Sequence, residues 1–139
     1  MVEIEPILVA EIARVPALAG FAVRGASDED ESRRPVPAVD VSFSGMRVLQ
    51  TTASAVTVAA GWGVRIILLR GSTAATQLGE IAGEVIQALH GFKPGKVNDK
   101  KFWGTLNLVE AHMPETIDQG LVQCELIFQT VAEYSGRKW

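Results

Sequence analysis

"AVTVAAGWGVRIILLR", residues 55–70, decides the fold. No apolar recurrence at three and four residues runs through it, β-branched residues are dense, and "GWG" separates "AVTVAA" from "VRIILLR". That pattern predicts strands rather than helix. Within a segment from Met46 to Arg70 it reads as a hairpin interrupted at the glycines. Residues 64–69 are apolar almost without a break, the mark of a strand buried on both faces and central in its sheet.

Downstream stands "STAATQLGEIAGEVIQALHG", residues 72–91. Ser72 or Thr73 can cap a helix that puts Leu78, Ile81, Ala82, Val85 and Leu89 on one arc and stops at Gly91. Upstream, "AVDVSFSG" alternates Val39, Val41 and Phe43 with Asp40, Ser42 and Ser44, a half-buried strand. Before it, "SDEDESRRPVP" is a polar loop closed by prolines, "GFAVRGA" a short strand, and Ile4, Leu8, Ile12 and Val15 mark a helix to about Leu18 that Pro16 frays. Toward the C-terminus, "FKPGKVNDKK" reads as a basic loop. "FWGTLNLVEAHM" and "LVQCELIFQTVAEY" read as strands joined by a turn in "PETIDQG". The second of these strands places Val122, Cys124, Leu126 and Phe128 on one face and Glu125 and Gln129 on the other. The expected fold is α+β: one domain over residues 1–139, a mainly antiparallel β-sheet with two α-helices on one face, and exposed loops near 26–37 and 91–101.

Composition agrees with one core. The chain has 139 residues, 47% of them hydrophobic, enough for one domain and too short for two. A net charge of −3 and a pI near 5.4 give no whole-surface attraction for a polyanion, so no specific nucleic-acid binding is expected. A single cysteine excludes an internal disulfide and a cysteine-based zinc cluster. Glu3, Glu5 and Glu11 interrupt the N-terminal apolar pattern, unlike a signal peptide, and no apolar run reaches a membrane-spanning length of about 18 residues.

Candidate chemistry is sparse. His90 falls in the last helical turn, where the helix dipole favours an imidazolium. His112 has no paired-ligand spacing with it, so no metal site is expected. Cys124 lies on an apolar strand face and reads as a small hydrophobe. No phosphate loop, dinucleotide fingerprint or nucleophile elbow occurs, so no cofactor and no catalytic residue is assigned. The acidic run Asp28, Glu29, Asp30, Glu31 lacks the spaced acids of a calcium loop and reads as a solvated tip. Lys93, Lys96, Lys100 and Lys101, with Phe102 and Trp103 beside them, form either a contact surface or a solubilising loop. Ala75, Gly79, Gly83 and His90 form an arc beside the buried one of their helix. Two helical glycines cost roughly 1 kcal/mol each against alanine, so something is expected to approach closely there, either the protein's own sheet or another subunit.

The arrangement as a whole resembles the tail-terminator family of Mu-like contractile-tailed bacteriophages and prophages. The likeness rests on "GF" entering a strand, a polar loop closed by "PVPAV", the helix ending "ALHGFKP" within "EVIQALHGFKPG", and the later "LNLVEA" and "QCELIFQT". It covers nearly the whole chain, although the Met46 to Gly63 segment is longer and richer in alanine than the family pattern. The resemblance implies a structural virion protein rather than an enzyme. Such proteins form a homo-oligomeric ring of six copies at the head-proximal end of the tail tube, end tube and sheath polymerisation, and present the surface for the neck. It implies assembly in the host cytoplasm, residence in the virion, contacts with tube, sheath and neck proteins, and DNA passing through the lumen. On that reading the four lysines with Phe102 and Trp103 meet partners, Ala75, Gly79, Gly83 and His90 lie at the subunit interface, and Asp28 to Glu31 face the channel. Two other readings stand beside it: a small ligand-binding or regulatory protein with "GWG" lining a pocket, and an enzyme pairing His90 with Glu84 or Glu110.

Overall fold

The computed structural model describes residues 4–25, 37–93, 96–98, 101–118 and 120–135. Helix α1 spans Ile4–Ala13 and buries Ile4, Leu8 and Ile12, the expected stripe. It stops five residues short of Leu18. The residue before a proline is pushed out of the helical region, and Val15 is extended ahead of Pro16 (φ −69°, ψ 121°), so residues Pro16–Leu18 make a separate 3₁₀ turn.

Strands β1 (Ala22–Gly25), β2 (Ala38–Thr51), β3 (Ala55–Leu69), β4 (Lys96–Asn98), β5 (Lys101–Trp103), β6 (Asn107–Asp118) and β7 (Leu121–Ser135) form one seven-stranded sheet, with α2 (Ala74–Leu89) between β3 and β4 in the chain. The order is β1-β2-β3-β7-β5-β4, with β6 also on β7. Only β1 and β2 run parallel; every other pair is antiparallel. Strand β3 is central, between β2 and β7, and Val64, Ile66 and Ile67 are buried. At its end Leu69 is exposed, against the expectation for 64–69.

The hairpin does not turn at "GWG". Strand β3 runs unbroken through Gly61, Trp62 and Gly63, paired to β2 from Val56↔Thr51 to Ile67↔Ala38. The reversal lies at residues 52–54, where the Thr52 hydroxyl accepts from the amides of Ser54 and Ala55 at 3.4 and 3.1 Å, a short polar turn of the kind threonine supports. Neither Gly61 nor Gly63 has positive φ. A Cβ at Gly61 would lie 2.6 Å from the Ser44 hydroxyl on the neighbouring strand, which would have to rotate away.

Two further boundaries move. The stretch read as a basic loop contains the short β4–β5 hairpin. The "PETID" residues continue β6 instead of turning, with Glu115, Thr116 and Asp118 paired to β7. Pro114 falls where the β6–β7 register shifts, and β6 is an edge strand, the two settings in which a sheet tolerates a missing N–H.

The helices lie on one face. Val58, Ala60, Trp62, Val64, Ile66 and Leu68 of β3 share a core with Leu8, Ile12, Leu78, Val85 and Leu89 of the helices and with Cys124, Leu126 and Phe128 of β7. The other face of the sheet carries Arg65 paired to Glu125 at 3.7 Å, and His112 to Glu110 at 3.2 Å. The alternation read in β7 thus places its apolar set against the helices.

Candidate functional site

The end of α2 is tied to the start of β6. His90 is the C-cap residue, and Gly91 takes φ +85°, the left-handed conformation that glycine adopts without penalty. The Gly91 amide donates to Leu106 O at 2.7 Å, and the Leu106 amide to Phe92 O at 2.8 Å. The Leu108 amide donates to His90 Nδ1 at 3.1 Å. In this bond the ring nitrogen Nδ1 is the acceptor. Phe92 packs on the core edge. The motif is a clasp between helix and sheet. Neither acid considered as a partner for His90 joins it: Glu110 pairs with His112, and Glu84 lines grooves beside α1.

Those grooves fix which flank of α2 faces which neighbour. Glu80 and Glu84 line one with Phe21, Pro37 and Leu68, and Glu84 and Gln87 line another with Glu11 and Arg14. The flank with Gly79, Gly83 and His90 is on the other side, from which His90 reaches Leu108 of β6. Ala75, Gly79 and His90 are exposed and Gly83 is half-buried. A Cβ built at Gly79 or Gly83 meets no atom within 4 Å, so the chain's own sheet does not require these glycines. Replacing both with alanine is therefore expected to stabilise the isolated protomer by about 0.5–1 kcal/mol per site. A urea titration of Gly79→Ala/Gly83→Ala checks this; a lower midpoint would show a packing demand within the protomer.

The residues expected to meet partners are partly brought together. Lys93 is exposed at the end of the clasp. Lys96 and Lys101 lie on the β4–β5 hairpin, whose register sets Lys96 opposite Phe102, and β5 places Phe102 and Trp103 beside Glu133 and Ala132 of β7. Lys100 lies outside the described residues, as do Asp28, Glu29, Asp30 and Glu31.

Cys124 is fully buried, and burial pushes its thiol up from 9.0 to about 11, partly offset by a backbone hydrogen bond with Ile66. The folded state thus holds the neutral thiol while the unfolded chain ionises from about pH 9. The linked stability is complete below that pH and is lost as pH rises through 11, a contribution of about 2–3 kcal/mol. Thermal melts at pH 8 and pH 11 should therefore fall further for the native chain than for Cys124→Ala; equal losses would contradict the buried thiol.

The sequence reading passed over the distal half of the β2–β3 hairpin. Past Val41, β2 has no partner on its β1 side among the described residues and exposes Phe43, Met46, Val48 and Leu49, with Val48 58% accessible. The signal was present in "SGMRVLQ", where apolar residues continue beyond Gly45. In contrast, Trp62 of "GWG" is wholly buried and lines neither helical groove.

No protein-family model matches the chain, and no curated protein matches it. Among solved structures, its fold is similar to that of a chain in "Virion of native gene transfer agent (GTA) particle", with a TM-score of 0.52, 15% identity, and coverage of 94% of this chain and 85% of that one.

Proposed function

We propose that this chain is a structural virion protein of a phage-like particle, acting at the head-proximal end of the tail as a ring that ends tube and sheath polymerisation and receives the neck. The observation that carries this reading is the fold likeness to a chain of a gene transfer agent virion, which takes in 94% of the protein. The terminator-like helix ending adds to it, since His90, Gly91 and Phe92 of "ALHGFKP" clasp the end of the helix to the start of β6. A structural role is also favoured over catalysis by how the reactive side chains are used. His90 is engaged by a backbone amide, His112 by Glu110, and the Cys124 thiol is held neutral in the core. Among the described residues, no helix is long and apolar enough to cross a membrane.

Six copies, tube, sheath and neck partners, and a DNA-conducting lumen belong to the same proposal. The test is negative-stain imaging of the purified protein, alone and mixed with tail tubes. Rings, or caps confined to one tube end, are expected. Protein that stays monomeric and decorates no tube end would sink the reading.

A further inference from the structure

We infer that, in the ring proposed above and resting on that reading, the distal β2 strand of one copy docks along the outer edge of β6 in the next copy. Beyond Val41, at positions 42–51, no described residue pairs with the outer edge of β2. Among the described residues, strand β6, 12 residues long, pairs with β7 on one side alone. These two edges bound one sheet on opposite sides. A contact joining them is head-to-tail, and such a heterologous contact closes into a ring when its rotation permits. An isolated protein with a long, apolar open edge is prone to strand addition, so a stable solution is to satisfy that edge in the assembly.

Charge and shape favour this pairing. The only charged residue at positions 42–51 is Arg47, whereas β6 carries Glu110, Glu115 and Asp118 and no lysine or arginine. Val109 adds an exposed apolar side chain on β6 itself. Met46 and Val48 are opposite Ala60 and Val58 of β3, so they project from the helix-bearing face of the sheet. Laid on the β6 edge, that face lies on the same side of the sheet as α2, whose Gly79 and Gly83 have open space beside them. Register shifts interrupt both strands, at Phe43/Gly45 and Val48/Gln50 in β2 and at three places in β6. Backbone pairing is therefore confined to short runs, and burial of Met46, Val48 and Leu49 supplies most of the adhesion.

The experiment compares the native chain with Met46→Glu/Val48→Glu by native mass spectrometry and thermal melting, with and without tail tubes, and maps crosslinks from a photoreactive phenylalanine at position 48. Both substituted side chains are exposed in the protomer, so melting should be unchanged. Assembly should weaken by at least ~10-fold, and crosslinks should fall within residues 107–118 of a second copy. Native rings that persist in the double variant, or crosslinks to another region, overturn this interface and leave the ring intact. A native chain that is monomeric even with tubes overturns the ring and this interface together.

Discussion

Trp62→Ala is expected to lower stability by about 3–5 kcal/mol, the largest single effect in the chain. Trp62 is the largest wholly buried side chain and sits on the central strand, between Phe43 of β2 and Phe128 of β7 in register. Its ring meets Phe43 edge-on at 5.6 Å, an aromatic contact contributing about 0.5–1.5 kcal/mol beyond burial. Truncation removes that contact and opens a cavity that flanking glycines cannot fill. With roughly 4 °C lost per kcal/mol in a domain of this size, melting followed by circular dichroism should fall by about 12–20 °C. Phe43→Ala, at a partly exposed position, should cost only about 1 kcal/mol. A loss below about 1 kcal/mol for Trp62→Ala would mean that the core does not depend on this strand.

Reversing the charge of Lys93, Lys96, Lys100 and Lys101 together should leave the protomer folded and abolish head joining. Lys93 is exposed, and Lys96 and Lys101 lie on a short hairpin at the sheet margin, remote in sequence from the core strands. Exposed ion pairs contribute about 0–1 kcal/mol each, too little for one protomer. A ring engages many at once, so changing every copy multiplies the loss. Binding of the native protein to tube ends should weaken with added salt, because screening acts strongly on exposed charges. Tails of normal length joined to heads in the quadruple variant would reduce this segment to a solvated loop, while salt-independent binding would assign the grip to apolar contacts.

Helix α2 was legible because one periodic arc, Leu78 to Leu89, and one stop, Gly91, agree; each is a local property of the chain. The alternation in β7 was legible for the same reason, since a strand with one face on a core repeats every two residues. The direction of the clasp was not: His90 finds its partner 18 residues away, and no local spacing encodes that bond.

The amino-acid sequence by itself determined the class of fold, the two helices on one face, the central position of the 64–69 segment and the inert setting of Cys124. Periodicity and burial preference suffice for these. Only the tertiary structure decided that "GWG" lies inside a strand and that Gly79 and Gly83 stand open. The physical reason is shared. A glycine signals a turn, a close approach or a vacant flank with the same missing side chain, and only the neighbours brought by the fold distinguish them. The Ser44 hydroxyl lies close to a Cβ at Gly61 from the adjacent strand, whereas among the described residues no side chain or neighbouring element comes within 4 Å of one at Gly83. The open β2 edge is of the same kind, because whether a strand has a partner depends on where the other strands end.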